Sequence, residues 1–199
     1  MEEKNQKRQD ILKSAMALFK DKGFHNTKME DIAIDAKVGK GTLYEYFENK
    51  QDIFDEGCIE YVDEIIDKIK NISDLKDTFH NKLLILFNEN LKMESDITLE
   101  NILSNKNIIS EETIKTIVGK IFEMYSLICA IIDQGKDEGV VVNNTQSEII
   151  ACMLVGTMSQ YSRLKSHNKE NEIEEDDIIF DLLYNGISVK QEITNRREK

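Results

Sequence analysis

Residues 27–50, TKMEDIAIDAKVGKGTLYEYFENK, concentrate side chains suited to gripping a nucleic-acid duplex. Lys40 can donate to guanine O6 and N7, and Thr42 can offer its methyl to thymine or its hydroxyl to either partner. Gly41 lets a backbone come close to a groove. Tyr44 and Tyr46 carry hydroxyls that can hydrogen-bond phosphates. Lys37 adds a cation and Gly39 lies in the turn ahead of these residues. Thr27 and Lys50 fall at expected helix N-termini, where backbone amides favour phosphate. Each residue also has a plainer use. Thr27 could be only a helix cap, Tyr44 a core aromatic and Lys50 a solvated charge.

Two short helices must position this set. Thr27 and Glu30 make a T-x-x-E capping box, which starts a helix at Lys28. Met29, Ile32, Ala33 and Ala36 share one face of it. Ala36–Gly39 breaks the pattern, and a second helix follows from Lys40 to Phe47. That helix buries Leu43 and Phe47 and leaves Lys40, Thr42, Glu45 and Tyr46 outward. Helix, tight turn and helix with one exposed face make a helix-turn-helix.

The segment resembles the DNA-binding region of TetR-family transcriptional regulators. Thr27, Ile32-Ala33, Gly41-Thr42-Leu43-Tyr44, Tyr46-Phe47 and Lys50 carry the resemblance. Upstream, Ile11-Leu12, Ala15, Leu18-Phe19 and Gly23-Phe24 continue it, so it covers roughly residues 8 to 54. The rest of the chain is similar only in length and helical character. The resemblance points to Thr27, Lys40, Gly41, Thr42, Tyr44, Tyr46 and Lys50 as the DNA-binding set, and Lys37 and Gly39 join it from their place in the turn. Two positions depart from the family pattern. Lys37 stands where glycine usually follows alanine, and Tyr46 replaces a frequent histidine. If residue 37 needs positive φ, lysine there costs on the order of 1 kcal/mol.

The remaining sequence is helical throughout. The chain has 199 residues, no proline and a formal charge of −12. Residues 1–50 hold 10 Lys and Arg against 9 Asp and Glu, so the acidity lies in residues 51–199. A strongly acidic body repels phosphates and leaves DNA binding to the near-neutral head. Further helices are expected at about 5–22, 50–71, 74–92, 98–105, 110–138, 145–166 and 177–192. Gly23 and Gly139 are expected C-terminal stops and Asn49 a cap. Thr145-x-x-Glu148 is a second capping box, and the polar tract His167–Asp176 is a loop. The expected fold is all-α: a three-helix head, residues 1–49, then a larger helical effector-binding and dimerisation domain, residues 50–199.

The resemblance also implies functions for the larger domain. Its last two helices are expected to form a four-helix interface in a homodimer, with Met153, Leu154, Thr157, Ile179 and Leu183 as interface candidates. From apolar spacing alone, these residues could equally serve only the protomer's own core. A dimer suits a single helix-turn-helix, which makes few base contacts and works in pairs on a palindromic operator. The family also implies a small-molecule pocket, and Phe79, Leu83, Phe87, Phe122, Tyr125 and Met158 are its candidates, favouring a small apolar effector. The expected function is a repressor of transcription, bound to double-stranded DNA and released by that effector. The alternative is a regulator without one, controlled by a protein partner.

Other chemistries lack their residues. Gly39-Lys40-Gly41-Thr42 does not meet the order of a phosphate-binding loop. Asp133–Asn144 has Glu138 where a calcium loop needs glycine. His25, His80 and His167 form no H-E-x-x-H, and no G-x-S-x-G occurs, so no enzyme, metal or cofactor is expected. Cys58, Cys129 and Cys152 are far apart in sequence and fit small core residues of a reducing cytoplasm. No apolar run reaches the ~20 residues of a membrane helix.

Overall fold

The computed structural model describes residues 2–92, 108–167 and 175–189. These residues are all-α: α1 (Glu2–Lys22), α2 (Met29–Asp35), α3 (Lys40–Tyr46), α4 (Lys50–Ser73), α5 (Phe79–Lys92), α6 (Glu111–Asp137), α7 (Ser147–His167) and α8 (Asp176–Ile187). The expected helix at 98–105 lies outside the described residues. The chain forms two compact units, Met1–Asp67 with Asp96–Glu123, and Lys68–Ser95 with Met124–Lys199. Helices α4 and α6 contribute to both.

The first unit is built on a core of Ile11, Leu12, Ala15, Phe19, Ile32, Ala33, Leu43, Phe47 and Ile53. Each of the first four helices supplies part of it. Helix α1 ends where glycine predicts, with Gly23 at φ 80° and its N–H donating to Phe19 O at 3.0 Å. Phe54 then packs edge to face on Phe19 and Phe24 behind the turn, with the three ring centroids 5.2–5.6 Å apart. Asn49 caps α4 as expected, its Oδ1 accepting from Gln51 and Asp52 N–H at 2.7 and 3.1 Å. The buried stripe of α4 is Ile53, Cys58, Val62, Ile66, Ile69 and Ile72. Phe54, Tyr61 and Ile65 beside it are half-buried, because a helix packed on several sides has more than one apolar row. The start of α6 is tied to α4. Ser110 N–H donates to Asp55, Gln51 donates to Ile108 O, and Lys120 pairs with Asp63.

In the second unit, α5 packs against α7 and α8. Phe79 and Phe87 are fully enclosed. Phe87 stacks on Tyr161 at 6.1 Å, and Phe79 and Phe180 each stack on Tyr184. Helix α5 starts at Phe79 rather than near residue 74. Thr78 Oγ1 accepts from Asn81 N–H, and the Glu138 carboxylate accepts from Phe79 N–H at 3.1 Å. These caps define the end, and Leu75 stays in the preceding turn. The Thr145 capping box does not form. Helix α7 starts at Ser147, and Thr145 O instead accepts from Lys136 Nζ at 2.7 Å. Helix α8 ends at Ile187, short of the expected 192. The chain there pairs with the valine run: Val142 N–H donates to Ile187 O at 2.9 Å and Val189 N–H to Val140 O at 3.0 Å. Val141 and Ser188 thus form an isolated antiparallel bridge.

The cysteines do not share one environment. Cys58 is buried, and that burial pushes its thiol up to about 12, so it stays protonated and inert. Cys129 is intermediate and Cys152 is exposed, which corrects the expectation of three core thiols.

Candidate nucleic-acid interface

Helix α2 does not start on the Thr27–Glu30 box. Lys28 is the cap, and its N–H donates to the Asp31 carboxylate at 3.1 Å. Thr27 is buried, at 1% exposure. Its hydroxyl lies 3.0 Å from Gly23 O and 3.3 Å from Leu18 O, donating back onto the end of α1. The Thr27 side chain therefore fastens the α1–α2 turn. Lys50 fastens the same turn from the other side. Its Nζ donates to Phe24 O at 2.7 Å, Thr27 O at 3.1 Å and His25 O at 3.3 Å, and sits 4.5 Å from the centre of the Phe24 ring. An ammonium so engaged is a clamp, not a solvated charge.

The turn between α2 and α3 closes a helix C-terminus on lysine. Lys37 has φ 55°, the one positive value at a non-glycine among the described residues. Lys37 N–H donates to Ile34 O at 3.1 Å and Val38 N–H to Ala33 O at 3.0 Å. That pair of bonds is the Schellman arrangement, which places a left-handed residue where glycine is preferred. The lysine side chain points into solvent from this turn.

Helix α3 is held by Leu43, at 0% exposure, and by Phe47 just past its end. Above the Phe47 ring, 5.4 Å from its centre, lies the Arg8 guanidinium, which pairs with Glu56 of α4. Burial holds the Glu56 carboxyl above its ordinary range, and the Arg8 charge pulls the other way. With Leu43 and Phe47 facing in, the other side of α3 faces out. Gly39, Lys40, Gly41 and Tyr44 are exposed, and Thr42 and Tyr46 are half-buried. Tyr44 is 47% exposed, so it is not a core aromatic. A Cβ added at Gly41 would meet nothing within 4 Å, which leaves the first turn of α3 open to an approaching surface.

Glu30, which spacing had assigned only to a cap, belongs to this face. Lys40 Nζ lies 2.6 Å from Glu30 Oε1, with both side chains about 60% exposed (60% and 62%). The hydrogen bond to Lys40 holds the Glu30 carboxyl below its ordinary range, and the reciprocal bond holds the Lys40 ammonium above its own. An i, i+10 pair across a turn has no signature in helical spacing, so sequence reasoning could not see it.

The other candidate sets divide. Phe79, Leu83, Phe87 and Met158 are all buried in the second unit, and Tyr125 is half-buried beside Cys152. Phe122 falls in the first unit and is 70% exposed. Of the interface candidates, Leu154 and Leu183 are already covered within the protomer, because they sit on the inward sides of α7 and α8. Met153 and Thr157 face outward and Ile179 is half-buried. Ile149, Leu164, Ile178 and Leu182 are further exposed apolar residues on the same two helices.

Comparison with known proteins follows the same division. A family pattern described as bacterial regulatory proteins, tetR family, matches residues 11–56, the α1–α4 head. An uncharacterised helix-turn-helix regulator of Bacillus subtilis, YerO, is 33% identical over 70 residues, 35% of this chain and 24% of that protein. The fatty acid metabolism regulator of B. subtilis is 22% identical over 194 residues, 96% of this chain and 100% of its own. The crystal structure of the regulator FadR from B. subtilis in complex with stearoyl-CoA superposes with a TM-score of 0.69 at 20% identity, covering 90% of this chain and 98% of that one. The structural likeness speaks for the whole helical fold. The head, with its turn, its buried anchors and its exposed α3 face, matches in sequence as well. Residues 11–56 thus carry the sequence pattern of the tetR family of bacterial regulatory proteins, and the likeness over the rest of the chain is one of fold.

Proposed function

We propose that this protein is a DNA-binding repressor of transcription that works as a homodimer in the cytoplasm and leaves its operator when a ligand with an apolar part binds the second unit. The observation that carries the DNA-binding reading is the outward face of α3, held rigidly on Leu43 and Phe47 while Lys40, Gly41 and Tyr44 remain exposed. Lys37, Gly39, Thr42 and Tyr46 complete the face. Thr27 and Lys50 support it by holding the turn beneath. Two such heads in a dimer would meet palindromic half-sites about 34–36 Å apart.

The full-length likeness to a fatty acid metabolism regulator, and to a structure holding stearoyl-CoA, favours a long-chain acyl thioester as the ligand. Phe79, Leu83 and Phe87 of α5 are enclosed in the apolar core, which would have to open to admit such a chain; each CH₂ then buried contributes about 0.8 kcal/mol. Ligand binding releases DNA only if the ligand prefers the conformation that misplaces the two heads.

The test is anisotropy of a labelled duplex from upstream of the protein's own gene. Binding should weaken steeply with salt. Lys40→Ala with Tyr44→Ala should lower affinity about 100-fold, the scale of two lost contacts, with helicity and dimerisation retained. Unchanged affinity would overturn the assignment of α3. Adding stearoyl-CoA should release the wild-type complex; indifference to acyl-CoA of any chain length would overturn the ligand class.

A further inference from the structure

Glu30 is an anomaly on a surface meant for DNA. A carboxylate facing phosphates weakens binding, because phosphate neutralisation dominates affinity. Yet this one sits on α2 with 62% of its side chain exposed and reaches across the turn to the cation at the start of α3. The ion pair occupies one of the three N–H bonds of Lys40 and one of the two oxygens of Glu30, leaving donors and an acceptor side by side. Lys28 and Asp31 are the charged neighbours of Glu30, and the Tyr44 hydroxyl lies near Lys40.

We infer that Glu30 is a specificity-determining residue, and that Glu30 and Lys40 together read one G·C base pair in each half-site. In the major groove, guanine offers O6 and N7 as acceptors and its cytosine offers the N4 amino group as a donor. The remaining Lys40 donors match the guanine, and the free Glu30 oxygen matches the cytosine. The pair also restrains Lys40 from swinging to a phosphate on arbitrary sequence. Glu30 thereby lowers non-specific affinity and sharpens discrimination. The inference rests on the DNA-binding reading and deepens it by naming a base pair and a second reading residue.

The experiment is selection from duplexes with randomised half-sites, followed by sequencing and by anisotropy on single-base variants of the selected operator. Wild-type protein should require G·C at one position per half-site. Glu30→Gln removes the charge at an exposed site with little effect on folding, which a melting curve checks. It should reduce discrimination at that one position by about tenfold, the scale of a good base contact, and should raise affinity for random duplex. Lys40→Gln should erase the same position, and the double variant should lose no more there than the worse single variant. A selected operator without a G·C requirement, or a Glu30→Gln profile identical to wild type, overturns the inference while leaving the DNA-binding reading intact. If wild-type protein selects no sequence and binds no duplex in a salt-dependent way, both fall together.

Discussion

Lys37 shows a conflict between fold and function at the scale of one residue. Its backbone sits at φ 55° in a turn that glycine fits without strain, and the left-handed conformation costs an L-residue about 1–2 kcal/mol. Its side chain is exposed beside the α3 face. Lys37→Gly should therefore raise stability in urea denaturation by up to about 1 kcal/mol, the strain less the added freedom of the unfolded chain. The same variant should bind operator more weakly and with a salt slope smaller by about one contact. A more stable protein with unchanged DNA binding would show that Lys37 is only strained. The strain itself was legible in the sequence, as a lysine in a glycine position. The inward turn of Thr27 was not, because its partners Gly23 O and Leu18 O belong to another helix end.

Close neighbours explain two glycines that lie within helices, where glycine is normally unfavourable. A Cβ at Gly135 of α6 would lie 2.6 Å from both the Phe79 ring and Val141 Cγ2. A Cβ at Gly57 of α4 would lie 2.5 Å from Met16 Sδ. The ring of Phe79 is enclosed on all sides, whereas methionine is flexible. Gly135→Ala should destabilise by about 1–3 kcal/mol, and Gly57→Ala by clearly less, in paired thermal melts. Equal losses would mean that Met16 cannot move. Helix existence was readable from apolar period at every long element. Helix ends were less so: the starts of α5 and α7 and the end of α8 are decided by Glu138, Lys136 and the Val140–Val142 pairing, all distant in sequence.

At the scale of the whole molecule, the proposed function requires two chains. Ile149, Met153, Leu164, Ile178 and Leu182 leave an apolar surface on α7 and α8 that a monomer would expose to water. Leu182→Arg with Met153→Glu should convert a dimer to a folded monomer in sedimentation, and operator affinity should fall with it, since one head makes few base contacts. A dimer that persists would move the interface elsewhere. The charge balance acts at the same scale, with the acidity concentrated beyond residue 50 and the head near neutral. Encounters with DNA are thereby biased towards the head.

The amino-acid sequence by itself determined the all-α class, the helix-turn-helix and the candidate residues around α3, because these depend on 3.6-residue periodicity, glycine stops and local caps. Only the tertiary structure decided which of those residues remain available. It turned Thr27 inward, committed Lys50 to three carbonyls, covered Leu154 and Leu183, and set Glu30 against Lys40. The physical reason is that a side chain's hydrogen bonds and exposure depend on the helix packed beside it, and that neighbour is fixed by long-range packing rather than by spacing along one element.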